Sequence, residues 1–86
     1  ELDLRRRFAE AYLRYETAWT SVEDYRKETL PQAREAAELY GDYVRQMRAA
    51  FPQQLVAQRT QLDVQREYVD ALLELRRAEV ELTGLL

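Results

Sequence analysis

Two pairs of carboxylates are the side chains whose spacing could support chemistry. Asp63 and Glu67 are four residues apart, as are Asp70 and Glu74, so each pair would lie on one face of a helix. Carboxylate oxygens in this arrangement suit a hard cation such as Ca²⁺ or Mg²⁺. Arg66 lies among them, and the whole face is expected to be solvated. The sequence therefore favours a charged, solvent-facing surface over a metal site.

Most other kinds of active site lack their essential residues here. The chain of 86 residues contains no His and no Cys, which excludes Ser–His–Asp triads, Cys–His dyads and zinc sites built from thiolates or imidazoles. It also has no glycine-rich phosphate-binding loop. We therefore predict that the chain is not an enzyme and that it has no catalytic residues, no cofactor and no bound metal.

Charge and hydropathy narrow the classes of partner. The net charge is −3 and both signs are mixed along the chain, with Arg5-Arg6-Arg7 as the longest basic run, so no nucleic-acid partner is expected. No apolar run approaches the roughly 18 residues of a membrane span. The first residue is Glu1, and we expect the chain to be a fragment of a larger protein.

The elements that must position these residues are helices. Ala, Leu, Glu, Arg and Gln dominate, Ile is absent, and no alternating β-branched run occurs. We predict an all-α fold, a long antiparallel helical hairpin resembling a coiled coil, with helix 1 over 1–47, a turn over 48–52 and helix 2 over 53–84. A first arm of this size would extend about 68 Å at about 1.5 Å per residue.

The first arm has one apolar seam and one interruption. Steps of four and three residues, typical of a coiled coil, join Leu4, Phe8, Ala11, Tyr15, Ala18, Val22 and Tyr25. Pro31 lacks an N–H and clashes with the preceding turn, so we predict a kink near Pro31, over 29–31. The pattern then resumes through Ala33, Ala36, Ala37, Tyr40, Tyr43, Val44 and Met47. Gly41 within it costs about 1 kcal/mol relative to Ala but does not end the helix.

The second arm has apolar residues on two faces. The first set, here the core seam, is Ala57, Gln61, Val64, Tyr68, Ala71, Leu75, Ala78 and Leu82. The second set, the outer seam, is Leu55, Leu62, Val69, Leu72, Leu73 and Val80. A two-stranded coiled coil needs only one seam, so two seams predict helices on both sides, as in a bundle or closed barrel, and self-association. We assign helix-packing roles to Tyr15, Val22, Tyr40, Leu62, Tyr68, Val69, Leu75 and Leu82.

The break between the arms is predicted to be the hairpin tip. Pro52 suits the first position of a helix, which places the turn near Arg48–Phe51. No Gly or Asn is available there for a left-handed cap, so Ala49 or Ala50 must adopt that conformation or the turn is wider than usual. Two interpretations of Phe51 stay open: a local contact with Val56 or Met47, or an exposed contact for a partner.

Three stretches together resemble one protein family. They are Leu30-Pro31-Gln32-Ala33 with the Ala-rich helix ending near Tyr43, Leu55-Val56-Ala57-Gln58-Arg59-Thr60-Gln61-Leu62, and Tyr68-Val69-Asp70-Ala71-Leu72 running on through Ala78–Leu82 to Gly84-Leu85-Leu86. This pattern resembles the C-terminal periplasmic helical hairpin of the outer-membrane efflux factors, the TolC family, and most of all the heavy-metal-efflux branch that includes CzcC and CusC. The resemblance covers nearly the whole chain but only part of a full family member.

The resemblance implies a role in transport. Family members are trimers whose helical hairpins form a periplasmic α-barrel that continues a pore through the outer membrane. The hairpin tips form the closable end and contact a periplasmic adaptor, and an inner-membrane pump supplies the exported small molecules or metal ions. By this resemblance the chain would lie outside the bilayer, in the periplasm of a Gram-negative-type cell, within a parent protein of the outer membrane. Met47, Arg48, Phe51 and Gln53 would then contact the adaptor.

The tip departs from the family pattern in two respects. The family usually has a glycine ten residues before the Ala that corresponds to Ala57, and that position here is Met47. Family members often have acidic residues just before this Ala, where Gln53 and Val56 are neutral. A cation-selecting acidic ring is therefore not expected. The alternative function is a self-associating coiled-coil scaffold or interaction module with no transport role.

Overall fold

The chain folds into two long antiparallel helical arms. The computed structural model describes residues 2–47 and 50–85. The first arm consists of α1 (Leu2–Asp24), a π-helical turn (Tyr25–Thr29) and α2 (Leu30–Arg45), and the second arm is the single helix α3 (Phe51–Leu85). The described residues form no strand, and the molecule measures 67 × 15 × 13 Å. The predicted all-α helical hairpin is confirmed.

The interruption of the first arm is a π turn rather than a break. The Leu30 N–H donates to the carbonyl of Tyr25, five residues earlier, where an α-helix would use a residue four earlier. Pro31 follows at the second position of α2. The irregularity therefore lies over Tyr25–Thr29, mostly ahead of the predicted 29–31, and the chain stays helical through it.

Small residues form the contact between the arms. The buried positions are Ala11, Val22, Ala33 and Gly41 in the first arm and Ala57, Val64 and Ala78 in the second. No large side chain among the described residues is fully buried. Small side chains let helix axes approach closely, and they also limit the apolar area that the pair removes from water. The hairpin therefore packs tightly along a narrow line and leaves most of its large apolar side chains outside it.

Each of the eight residues in the core seam faces the first arm. Ala57, Val64 and Ala78 are buried, and the other five members of the seam are half-buried. In the first arm, Ala11 and Val22 are buried, whereas Leu4 and Phe8 near the arm's start are exposed. The four-and-three periodicity thus identifies the inward face of α3 along nearly its whole length.

Two side-chain contacts between the arms supplement this packing in the described parts of the chain. Arg14 forms an ion pair with Glu81, with Nε donating to Oε2 at 3.3 Å, and the Tyr25 hydroxyl donates to Glu67 Oε2 at 3.4 Å. Both contacts lie on exposed surface. Because water screens such exposed contacts, they help to set the register of the two arms more than they stabilise the fold.

Candidate functional site at the hairpin tip and outer faces

The first arm ends in a left-handed residue. The Gln46 N–H donates to the Asp42 carbonyl at 3.0 Å, and the Met47 N–H donates to the Val44 carbonyl at 3.0 Å. Met47 has φ of 58°, the only positive φ among the described residues. The Met47 bond and its dihedral angle are typical of a helix that ends in a left-handed residue, a position that usually carries glycine.

The structure has a left-handed residue just before the predicted turn. The sequence predicted a left-handed Ala49 or Ala50, or else a turn wider than usual, whereas Met47 has a positive φ and Ala50 does not. Ala49 lies outside the described residues, as does Arg48, so the predicted contact by Arg48 has no structural description. Met47 was missed because Pro52 placed the predicted turn over 48–51, so that Met47 was counted as the last residue of the first helix.

The second arm starts immediately after Ala50. The Gln53 N–H donates to the Ala50 carbonyl at 3.1 Å, and α3 begins at Phe51. Pro52 therefore occupies the second helical position rather than the first, where its missing N–H still costs no hydrogen bond. Ala50 offers no side-chain oxygen to the first turn of the helix, so this end of α3 lacks the usual capping stabilisation.

The apolar side chains at the tip are open to solvent. Met47 is 93% exposed and Phe51 59% exposed, and Gln53 is exposed beside them. Val56 is 64% exposed, so neither partner of a local Phe51 contact provides a buried surface. Of the two interpretations of Phe51, the exposed one agrees with this geometry. Phe51 also lies four residues before Leu55, which places it on the same helix face as the outer seam.

The outer seam is uncovered along α3. Leu62 is 63% exposed and Val80 72% exposed, and the other four members, Leu55, Val69, Leu72 and Leu73, are also exposed. This face lies roughly half a helical turn from the core seam, so the first arm cannot reach it. The packing roles assigned to Leu62 and Val69 therefore need a helix from outside the hairpin. Tyr40 in α2 is likewise exposed.

A line of aromatic side chains runs along α1. Phe8, Tyr12, Tyr15 and Trp19 follow one another at steps of four, three and four residues, and all but the half-buried Tyr15 are exposed. The rings of Tyr12 and Tyr15 lie 6.4 Å apart between centroids. The sequence analysis placed Phe8 and Tyr15 in the first-arm seam and did not identify this line as a surface. The same alternation of four and three, started at Phe8 instead of Leu4, would have found it.

Several carboxylates of α3, but not Asp63, line a shallow groove of about 670 Å³ between α1 and α3. Glu67, Asp70 and Glu74 lie along it with Tyr25 and the exposed Arg77. Within the described residues, no three acidic side chains come together closely enough to hold a metal ion. Glu67 accepts the Tyr25 hydroxyl and Glu74 accepts Arg77 at 2.9 Å, so the groove is an ordinary network of surface contacts.

Two pKa shifts accompany such contacts. Hydrogen bonds from Arg26 and Lys27 hold the pKa of Glu23 below its usual range. Partial burial raises the pKa of the Tyr25 hydroxyl, and the neighbouring charge of Glu67 raises it further. The Glu23 shift arises from pairing on the surface of the hairpin, and the Tyr25 shift arises mainly from partial burial at the groove that Tyr25 lines.

Two further findings complete the description. In the part of the chain that the structure covers, no helix is both long enough and apolar enough to cross a bilayer. Comparisons with protein-family models, with curated proteins and with solved structures found no match. The case for a function therefore depends on the tip, the outer seam and the resemblance seen in the sequence.

Proposed function

We propose that this chain is part of the periplasmic α-barrel of a trimeric outer-membrane efflux channel, which exports small molecules or metal ions with an adaptor and an inner-membrane pump. The observation that carries the proposal is the uncovered outer seam of α3. One face of α3 already packs on the first arm. A second apolar face is expected for a helix that has neighbouring helices on both sides. The rod shape, 67 Å long, suits an element in a wall of parallel hairpins.

The conformation of Met47 supports the alignment with the efflux family. The family usually has glycine at the position that corresponds to Met47, and a left-handed residue is the usual reason for a glycine at a helix end. Met47 is the one described residue with positive φ. A left-handed residue at Met47 is what a glycine at this position would accommodate, and this agreement supports the proposed alignment although the side chain differs.

The tip is the proposed contact with the adaptor. Met47 and Phe51 present apolar surface, and Gln53 presents a neutral hydrogen-bonding group beside them. Exposed apolar side chains surrounded by polar ones are typical of protein–protein contacts. Because Gln53 and Val56 carry no charge, we propose a tip that binds the adaptor without forming an acidic ring for cations.

A self-associating scaffold is the second candidate, and the same exposed seam favours it. The two candidates differ in location and partners. A channel component fractionates with the outer membrane as part of its parent protein, and its tip binds an adaptor. A scaffold needs no membrane fraction, and its contacts lie along the seam rather than at the tip.

The test uses the full-length parent protein in its own cells. Phe51→Glu places a charge at the tip, and Thr60→Glu places the same charge at an exposed position further along α3 as a matched control. We expect adaptor capture by cross-linking and export to fall for Phe51→Glu and to stay near wild-type for Thr60→Glu. Unchanged adaptor capture in Phe51→Glu would contradict the tip contact. A soluble parent protein would contradict the channel.

A further inference from the structure

The aromatic line of α1 and the outer seam of α3 lie on the same side of the hairpin. Arg26 and Val69 line one shallow groove between the arms, which places both residues on this side. Trp19 and Tyr12 precede Arg26 by seven and fourteen residues. Leu62 likewise precedes Val69 by seven. Seven residues are nearly two helical turns, so each set continues along the groove's side of its own helix, here called the apolar side.

The opposite side of the hairpin, here called the acidic side, contains the groove of about 670 Å³. This groove has four acidic residues and two basic ones, which are Glu67, Asp70, Glu74, Glu81, Arg14 and Arg77. Glu67 and Val69 are two residues apart and therefore point about 160° apart around α3. Arg14 and Trp19, five residues apart, point about 140° apart around α1. Both helices thus separate their charged residues from their exposed apolar ones in the same direction.

We propose that a second copy of this chain covers the apolar side, so that two hairpins pack face to face as a four-helix bundle. The apolar side spans both arms, so a partner that covers it must present two helices at the same separation, and a second copy does so. Because each copy uses the same surface, the contact has two-fold symmetry and closes at a dimer. The inference concerns the chain on its own and goes beyond the proposed function.

The apolar side is large enough for a stable dimer. The hairpin measures 67 Å by 15 Å along its two longer axes, a footprint of about 1,000 Å², and stable interfaces bury about 800 Å² on each partner. Aromatic residues contribute most to such contacts, and Tyr12 and Trp19 are 47% and 49% exposed in the separate hairpin. Leu62 and Val69 on the other arm are also exposed, so both helices have apolar area to bury.

Charge decides which side the two copies share. The groove of the acidic side has four carboxylates against two arginines, so two copies that met there would bring like charges together, which opposes association. On the apolar side, Arg26 is already paired with Glu23 at 2.8 Å and Arg76 with Glu79 at 3.7 Å. The long stems of these arginines pack along apolar residues while their charged groups reach the rim of an interface. The apolar side is therefore the side that accommodates a second copy.

Trp19 is the only tryptophan of the chain, so its fluorescence reports directly on the proposed interface. Where sedimentation velocity shows a dimer, we expect Trp19 to emit at shorter wavelength and to be protected from quenching by acrylamide. Dilution to monomer should remove both effects. Association through the outer seam alone would leave Trp19 equally quenched at every concentration, and that result would overturn the proposal. A chain that stays monomeric, or that assembles beyond the dimer, would also overturn it.

A matched pair of variants tests the same side of the hairpin. Trp19→Glu places a charge on the apolar side, and Thr17→Glu places the same charge in the groove of the acidic side. We expect Trp19→Glu to raise the dissociation constant of the dimer at least about 30-fold, as is typical of a Trp at the centre of an interface. Thr17→Glu should stay within about threefold of the wild type, as for a surface change away from an interface. Equal weakening by the two variants would contradict the assignment of the face, and if Trp19→Glu loses its helical circular dichroism, the fluorescence of the wild-type chain decides.

Discussion

Met47 is the residue whose backbone conformation in the fold departs most clearly from the one its side chain favours. A side chain in the left-handed region costs roughly 1–2 kcal/mol because its Cβ approaches the following carbonyl oxygen. Met47 accepts this cost at φ of 58° while its side chain remains 93% exposed, so no packing of that side chain offsets it. The hairpin turn imposes the conformation, and a glycine at this position would relieve it.

Met47→Gly is therefore expected to raise the free energy of unfolding by about 1 kcal/mol. Met47→Ala is the control, because it removes the same side chain but keeps the Cβ, and we expect it to stay close to the wild type. Urea denaturation followed by circular dichroism measures both. A glycine variant no more stable than the alanine variant would show that Met47 is not strained in solution.

Glu23 makes the stability of the folded hairpin depend on pH. Its pKa is lowered by Arg26 and Lys27, so the folded state binds this proton less readily than the unfolded chain. The resulting stabilisation is present above the carboxyl's usual pKa and disappears as the pH falls through the lowered value. Glu23→Gln should therefore lose less stability than the wild type on acidification, measured as melting temperature from about pH 7 to about pH 2. Glu38→Gln, an exposed change on α2, serves as control, and equal acid profiles for all three proteins would contradict the assignment.

At the scale of elements, the sequence predicts much of the core but few of the irregularities within the helices. The core seam of α3 follows from steps of four and three because a helix has one geometry wherever it packs on a partner. The π turn was missed because the prediction placed the irregularity at Pro31, and because half-buried Thr29 continues the four-residue spacing from Tyr25 to Ala33 through the turn. The burial of Gly41 was missed because its propensity cost says nothing about which face it occupies.

The two glycines offer a test of helix stability without cavities or clashes. A Cβ added at Gly41 would meet only flexible side chains, with Gln54 Nε2 nearest at 3.4 Å, and one added at Gly84 would meet nothing within 4 Å. Gly41→Ala is expected to stabilise the hairpin by about 0.5–1 kcal/mol through helix propensity. Gly84→Ala, in the fraying last turn of α3, should gain less. A loss of stability in Gly41→Ala alone would show that the two arms approach too closely at Gly41 to accommodate a Cβ.

At the scale of the whole molecule, the hairpin leaves much of its apolar surface uncovered. Its narrow core of small residues limits the apolar area it can bury, while the outer seam, the aromatic line of α1 and the tip stay open. A contiguous apolar face of this extent favours association. The sequence predicted this from the second seam of α3, but it could not indicate the neighbour, because periodicity identifies a face and not its partner.

We expect the chain on its own to self-associate at least to dimers. The exposed apolar residues of the outer seam drive the association, so the double variant Leu62→Gln/Val69→Gln should shift it toward monomer. Sedimentation velocity over a range of concentrations measures the change. Thr60→Gln/Arg66→Gln, which introduces the same two glutamines outside the outer seam, is the control. A wild-type chain that stays monomeric and well folded at high concentration would contradict this expectation.

The central claim, that the outer seam packs against other helices of an envelope channel, can be tested at one position. A photoreactive phenylalanine analogue at Val69 of the full-length parent protein, irradiated in intact cells, reports what covers this face. The account predicts cross-links, found in the outer-membrane fraction, to another helical segment of the same channel. A parent protein that fractionates away from the outer membrane, or a Val69 position that cross-links to nothing, would contradict it.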